Sequence, residues 1–265
     1  SQPNTPGAAD DGSGVASMLE VIDLLSTEND LKNDVYFLFT DLEEVGLIGA
    51  GAFVDSNPAL DDVGIILNFE ARGNAGANFT FEISSDNGWL VREFSNAVDK
   101  PMAYSLAYEI YKLMPNDTDF TQFTDTGISG LNSAYIDGHV YYHSPEDTHQ
   151  NIDMGSLQHQ GDLMWQMVKH FGNIDLTNTK SEDAIFFSLF SYLVIYPVGF
   201  DMPLLIITLI GLITLISISI YRSKVMVSNL TKAFFGYLLI ILLSLGLAWV
   251  LKLLILYINP HYDNF

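Results

Sequence analysis

Side chains of the kinds that bind divalent metal ions occur in four short segments of the sequence. The segments read GAADDGSG, TDLEEVGLIGA, LNFEARG and YYHSPEDTHQNID. Carboxylates and an imidazole, in a chain with no cysteine, suit zinc or a similar ion. A carboxylate on a tight turn can bridge two ions, and adjacent glutamates allow one to bind metal while the other acts as a base. The candidates are Asp10, Asp11, Glu43, Glu44, Glu70 and His143.

The segments that must position these side chains alternate between helix and strand patterns. Apolar residues at helical spacing predict helices at 14–26, 47–54, 87–98, 103–113 and 156–171. Apolar runs predict strands at 34–40, 63–69, 79–83 and 131–136. The alternation predicts an α/β fold, a three-layer sandwich with a mixed, largely parallel central sheet. Acids that directly follow strands would then lie at the sheet edge where sites form.

Charge divides the chain into two parts. All but two of the 32 acidic residues precede residue 184, and the formal net charge is -21. We therefore expect one acidic globular domain at 1–183, which excludes nucleic-acid binding through phosphate contacts. The absence of cysteine excludes disulfides, thiolate metal sites and a cysteine nucleophile.

The part from residue 184 onward is mostly apolar and predicts a membrane protein. The run 184–196 is too short to cross a hydrocarbon core of about 30 Å, so we expect an interfacial linker at 184–202. Spans are predicted at 203–221 and 233–258, within a membrane region at 203–265. The loop between them carries Arg222, Lys224 and Lys232, which predicts a cytoplasmic loop and an extracytoplasmic acidic domain.

Taken together, the four motifs resemble the di-zinc aminopeptidases of the aminopeptidase Y type, over residues 1–171. The spans and the segments SLAYEIYKLMPNDTDFTQF and GISGLNSAYIDGHVYYHSPEDT are most similar to the branch that contains the vacuolar membrane protease and the endoplasmic reticulum metallopeptidase. The resemblance implies a membrane-anchored aminopeptidase that hydrolyses peptides with water activated by two zinc ions. It also implies that the turn around PNDTDF is structural.

The resemblance assigns a role to each matching residue. Asp10 would bridge two zinc ions, and the peptide bond after it is often cis in this family. Glu44 and His143 would hold one ion, Glu70 would hold the second, and Glu43 would be the general base. Further candidates for contacts to a ligand or to the substrate are Asp11, Asp41, Arg72 and Tyr142.

One family residue has no counterpart here. Relatives carry a second-metal histidine in a His-X-Asp motif shortly before DDGSG, and residues 1–9 contain none. We expect an N-terminally truncated fragment that by itself is inactive, with two zinc ions in the full-length protein. Two other functions stay open: a non-catalytic peptidase-fold binding module and a single-zinc enzyme like glutaminyl cyclase. No oligomeric state is predicted.

Overall fold

The computed structural model describes residues 4–27, 31–114, 116–222 and 226–258. The chain divides into two compact units, Ser1–Val198 and Gly199–Phe265. The helices of the first unit are α1 (Gly12–Thr27), α2 (Ile48–Ser56), α3 (Gly88–Ala97), α4 (Ser105–Tyr111), α5 (Asp119–Thr124) and α6 (Met154–Phe171). Its strands are β1 (Ile65–Ala71), β2 (Phe79–Ile83), β3 (Ser129–Tyr135), β4 (Ala184–Leu189) and β5 (Tyr192–Pro197). The second unit contains α7 (Asp201–Tyr221) and α8 (Val227–Ile258).

The central sheet is mixed, which confirms the predicted fold class. Its three strands lie in the order β1-β3-β2. Strand β1 runs parallel to β3, with Ile65 opposite Ser129, whereas β2 runs antiparallel to β3, with Phe79 opposite Ala134. The parallel pairing brings the carboxyl ends of β1 and β3 to the same edge of the sheet, immediately before the segments that contain Arg72 and His143.

Helices cover both faces of the sheet. Side chains alternate along a strand, so Phe69 and Leu131 face one way, into a core that also includes residues of α1, α3 and α6. On the other face, Asn132 donates a hydrogen bond to Thr118, the N-cap of α5. Leu131 is 1% exposed, and burying a side chain of this size stabilises the fold by about 1.5–3 kcal/mol.

Helix α6 is defined by one buried face and by a capped first turn. Its buried residues include Gln160, Leu163, Met164 and Met167, which recur at the spacing of one helix face. Asp153 caps the start of the helix, because its Oδ1 accepts a hydrogen bond of 2.8 Å from the backbone N–H of Ser156. The capped start places Gln160 beneath the end of β1.

The predicted strand at 34–40 is not a strand in the structure. Val35 and Phe37 pack against the core and Tyr36 between them is 61% exposed, but Phe39, which strand alternation would bury, is 48% exposed. The sheet in the described part of the chain consists of β1, β3 and β2, and the free edge of β1 is not paired with this segment. A strand is defined by pairing of its backbone, which the apolar pattern alone cannot supply.

The apolar run after residue 183 forms the antiparallel hairpin β4–β5 within the first compact unit. This unit therefore continues through Val198, beyond the predicted domain end at 183. Phe186 of the hairpin is 4% exposed and belongs to the main core. An interfacial position for 184–202 stays a prediction.

Two helices of the second unit are long and apolar enough to cross a membrane. Helix α7 has 21 residues and α8 has 32, which correspond to lengths of about 31 and 48 Å. The predicted spans 203–221 and 233–258 fall within them, although α8 begins six residues earlier than predicted. Lys224 of the predicted cytoplasmic loop lies outside the described residues.

Replacing Gly130 with alanine should destabilise the first unit. A Cβ there would lie 2.8 Å from the carbonyl oxygen of Ile66 on the neighbouring strand, and overpacking of this kind costs about 1–3 kcal/mol. Gly161→Ala in α6 is the matched control, since its Cβ would approach only Ser17 Oγ at 3.9 Å, and an alanine in a helix interior gains up to about 1 kcal/mol. Thermal unfolding of the full chain in detergent should give a lower midpoint for the first variant. Equal midpoints would contradict this packing.

Candidate metal centre

Three predicted ligands converge on one point. Asp10 precedes α1, Glu44 lies in the 3-10 turn Glu43–Val45, and His143 follows the 3-10 turn His139–Tyr141. The Nε2 atom of His143 lies 3.1 Å from Asp10 Oδ2 and 2.8 Å from Glu44 Oε1. One ligand atom from each of the three residues lies within 4.8 Å of the others, so a single ion could contact all three.

The chemistry of this group fits a zinc ion. His143 Nε2 is buried, and two carboxylate oxygens lie within 3.1 Å of it. A buried ring nitrogen that faces two carboxylates is placed as a ligand to a shared cation would be. An imidazole with two carboxylates, and no thiol, is a usual zinc donor set.

His143 is also held in an uncommon backbone conformation, with φ 52°. Left-handed backbone is unfavourable for residues other than glycine and is found most often where function requires it. Burial lowers the pKa of the imidazole, but hydrogen bonding and the negative charges of Asp10 and Glu44 raise it overall above its ordinary value. The same two carboxylates would favour a metal cation in place of that proton.

Asp147, which sequence reasoning missed, holds the turn that carries Asp10. Its carboxylate is 1% exposed and accepts hydrogen bonds from the backbone N–H groups of Ala9, at 2.7 Å, and Asp10, at 3.2 Å. The Asp10-Asp11 peptide bond in this turn is cis, as the resemblance implied. The available signal was position, because Asp147 lies four residues after His143 in the same motif.

Asp11 points away from the three-ligand group and caps α1. Its Oδ1 accepts a hydrogen bond of 3.3 Å from the backbone N–H of Gly14. A Cβ at Gly14 would collide with this carboxylate, so the glycine leaves the space that the cap occupies. Burial, together with the nearby charges of Glu70 and Asp10, raises the pKa of Asp11 well above its usual range.

Glu43 lies beside the ligands but outside their group. The turn that holds Glu43 and Glu44 is flanked by Leu42 and Leu47, both in left-handed backbone with φ 56° and 57°. Glu43 lines a cavity of about 20 Å³, which is enough for one water-sized molecule. Burial, then the charge of Glu44, raises the pKa of Glu43 to about 7.

Glu70 lies at the end of β1 and lines the same cavity as Glu43 and Asp10. Its Oε1 accepts a hydrogen bond of 2.9 Å from Asn68, and its carbonyl oxygen accepts one of 3.2 Å from Gln160. Burial, then the charge of Asp10, raises the pKa of Glu70 to about 8. Glu70 is near Asp10, as a second-metal ligand would be, but it is not part of the three-ligand group.

The structure brings two of the remaining candidates to the site. The ring of Tyr142 stacks on that of His143, with centroids 3.7 Å apart, and Arg72 Cζ lies 5.2 Å from the centroid of Tyr142. Asp41 differs, because it is an exposed residue, and its carbonyl oxygen accepts a hydrogen bond from the backbone N–H of Gly49. Arg72 and Tyr142 are thus positioned to contact a bound molecule.

Residues 116–118, assigned by resemblance to a structural turn, line the same cavity. Thr118 has a structural role as well, since its side chain accepts a hydrogen bond of 3.3 Å from Phe120 at the start of α5. The polar composition of this segment was the only sequence signal. A wider depression of about 560 Å³ lies around Lys100, Met102, Asp153 and His159, but none of the predicted site residues lines it. Chemistry therefore favours the smaller cavity as the functional site.

Comparisons with known proteins identify the family of this chain. A model of the family described as Peptidase family M28 matches residues 1–168. Endoplasmic reticulum metallopeptidase 1 of Homo sapiens is 31% identical over 250 residues, which are 91% of this chain and 28% of that protein. The vacuolar membrane protease of Clavispora lusitaniae is 30% identical over 278 residues, covering 100% of this chain and 27% of its own. The chain thus spans about a quarter of the length of the curated relatives it matches.

Solved structures are similar in fold. A zinc aminopeptidase from Bacillus subtilis matches with a TM-score of 0.51 and 23% identity, over 69% of this chain and 47% of that one. An aminopeptidase from Aneurinibacillus sp. strain AM-1 matches with a TM-score of 0.54 and 20% identity, over 69% and 44%. At these identities the similarity describes the fold, a mixed α/β sandwich.

Removing the Asp147 carboxylate should weaken zinc binding. In Asp147→Ala the N–H groups of Ala9 and Asp10 lose their acceptor, and loss of a residue that orients a ligand typically costs 10–100-fold in metal affinity. Competition with a zinc-binding dye on the full chain measures the change. The neighbouring exposed Glu146 supplies the control, and Glu146→Gln should keep the original affinity. Identical affinities in the two variants would contradict the role given to Asp147.

Proposed function

The chain belongs to peptidase family M28, and from this membership we propose that it is the catalytic part of a zinc-dependent aminopeptidase. The observation that carries the proposal is the convergence of Asp10, Glu44 and His143 beside a cavity lined by Glu43. The three ligands arise from separate segments, at residues 10, 44 and 143, and the candidate base Glu43 directly precedes one of them. A cluster of ion pairs with a purely structural role would not need a carboxylate such as Glu43 beside the three ligands.

The residues of the site divide between two ions in this proposal. Asp10, Glu44 and His143 would hold one zinc ion, and Asp10 and Glu70 would contribute to a second. Bound zinc supplies a water of lowered pKa and polarises a carbonyl group. Among the described residues, Asp10 and Glu70 do not form a second group of three ligands. A further ligand for the second ion would therefore have to come from elsewhere in the protein.

Glu43 is suited to accept and return a proton. Its carboxylate lines the cavity, whereas the carboxylate of Glu44 turns towards His143. Consecutive residues in a 3-10 turn point in different directions, which separates the base from the ligand. A positioned carboxylate of this kind would take a proton from water in the cavity and later donate it to the leaving amine.

The charge of the cavity supports an amino-terminal substrate. Asp10, Glu43, Glu70 and Asp117 line it, so a positively charged α-amino group would be attracted. The relatives and structural neighbours include metallopeptidases and aminopeptidases by name. We therefore infer hydrolysis at the amino end of peptides, with Arg72 and Tyr142 available to contact the chain beyond the cleaved bond.

We also infer that the peptidase unit lies on the extracytoplasmic side of a membrane. Helix α7 is the one predicted crossing between this unit and the loop that carries Arg222, and positively charged loops favour the cytoplasm. Relatives are named for the endoplasmic reticulum and for the vacuolar membrane. A lumenal position would agree with both names.

One observation favours a second candidate function. Among the described residues, only one group of three ligands is close enough to hold an ion. A single-zinc enzyme that cyclises amino-terminal glutamine would need no more than this group. The two functions differ in product, because hydrolysis of a glutaminyl peptide releases glutamine, whereas cyclisation retains the residue and releases ammonia.

Changing Glu43 to glutamine should stop turnover without removing metal. General base catalysis contributes about 10²–10⁴-fold, so Glu43→Gln should lose at least that factor while its zinc content stays normal. Glu44→Gln should lose zinc as well, since that side chain contacts His143. Hydrolysis of an aminoacyl coumarin amide by the full-length protein, with zinc measured by mass spectrometry, separates the two effects. The exposed Asp62→Asn variant should keep both activity and zinc, and full activity in Glu43→Gln would refute the assignment.

The number of zinc ions and the requirement for a free amine test the rest of the proposal. Two zinc ions per full-length chain, with cleavage of a free peptide but not of its N-acetylated form, are expected for an aminopeptidase because the acidic cavity selects a charged amine. One ion, with ammonia released from glutaminyl peptides, would establish the cyclase instead. Absence of zinc from an active full-length protein would exclude both.

A further inference from the structure

We propose, on the premise that α7 crosses a bilayer, that the outer face of the hairpin β4–β5 lies in the headgroup region of that same bilayer. The chain would then meet the membrane twice, through the spanning helix and through a β-hairpin. The second contact would be made by side chains of the peptidase unit itself.

The two faces of the hairpin have different surroundings. Phe186 is buried in the core, and Leu193 and Ile195 pack against that core. The side chains between them alternate to the opposite face, where the register pairs Ile185 with Tyr196, Phe187 with Val194 and Leu189 with Tyr192. The outer face is therefore apolar or aromatic along its whole length.

Exposure of this outer face increases towards the turn. Phe187 is 38% exposed, Leu189 49% and Tyr192 77%, and Phe190 in the turn itself is 94% exposed. An antiparallel sheet with one face in water normally carries polar residues on that face. An apolar face of this kind marks a surface that is covered by something else.

Charge and connectivity identify a bilayer as the covering partner. Residues 184–200 contain no Asp, Glu, Lys or Arg, although the preceding unit is strongly acidic. Phenylalanine, tyrosine and leucine are residues that bind at membrane interfaces, where tyrosine is enriched. The hairpin ends at Pro197 and α7 begins at Asp201, so the three residues between them can separate these two Cα atoms by about 14 Å at most.

The hairpin is fixed to the peptidase unit, so its contact with lipid would be transmitted to that unit. Ser188 Oγ donates a hydrogen bond of 2.8 Å to the carbonyl of Pro101 and accepts one of 2.9 Å from Ala103. The backbone N–H of Phe186 donates to Ser105 Oγ at 2.8 Å, and that of Ala184 donates to Asn87 Oδ1 at 3.0 Å. These bonds fix the hairpin to the segment 87–105 of the same unit.

The absence of cysteine makes the test direct, because single cysteines can be introduced for labelling. We would label Tyr192→Cys and Phe190→Cys with a fluorophore in the full chain, reconstituted in lipid nanodiscs. Nitroxide lipids labelled at the headgroup and aqueous iodide are the two quenchers. Asp61→Cys, at an exposed acid of the same unit, is the water-facing control, and Ile210→Cys in the middle of α7 is the membrane control.

The proposal expects labels at 190 and 192 to be quenched several-fold more by the nitroxide lipid, and several-fold less by iodide, than the label at 61. Iodide quenching equal to that at 61 would overturn it, because the face would then be in water. Protection from both quenchers would also overturn it, because another protein surface would then cover the hairpin. A label at 210 that iodide quenches as strongly as the label at 61 would instead remove the premise that α7 spans the bilayer. Zinc binding by each labelled variant would verify that the peptidase unit is folded.

Discussion

The structure of the peptidase unit depends on holding several carboxylates together against their mutual repulsion. Burial, and then the charge of neighbouring acids, raises the pKa of Glu43 to about 7, that of Glu70 to about 8 and that of Asp11 well above its usual range. Unpaired charges in partly buried positions cost free energy. The surrounding fold must therefore supply donors that fix each acid in place, and a bound cation would relieve the repulsion that remains.

Uncharged side chains help to fix Asp10 and Glu70 in place through two short chains of hydrogen bonds between the sheet and the helices. In one, the hydroxyl of Tyr135 at the end of β3 donates to Ser13, which donates to the carbonyl of Ala9 beside Asp10, each at 2.8 Å. In the other, Gln160 of α6 connects Ser17 of α1 to the carbonyl of Glu70. Both are buried, so losing one partner would leave the other unsatisfied. Uncharged groups thus position Asp10 and Glu70 alongside the Asp147 carboxylate, which holds the turn of Asp10.

Sequence reasoning predicted the elements and the ligand types better than the groups that position them. The strands around Phe69 and Leu131 were found because both are apolar runs bounded by turns, and Asp10, Glu44 and His143 were found through the resemblance of their motifs. The strand prediction at 34–40 was wrong, because an apolar run does not show whether a partner strand is present. Asp147 was missed because it acts on backbone N–H groups, which have no sequence signature. The hairpin at 184–197 was not predicted because a short apolar run does not distinguish strand from helix.

The hydrogen bonds from Ala9 and Asp10 to Asp147 join residues 138 and 137 positions apart. His143 belongs to the same loop as Asp147, so one late segment both contributes a ligand and fixes another at the beginning of the unit. Contacts of such high sequence separation require most of the intervening chain to be ordered first, and closing long loops is slow. During synthesis the N-terminal acids would leave the ribosome long before their partners. The group of Asp10, Glu44 and His143 can therefore form only after the segment that ends at Asp147 has emerged, which makes metal capture a late event in the synthesis of this unit.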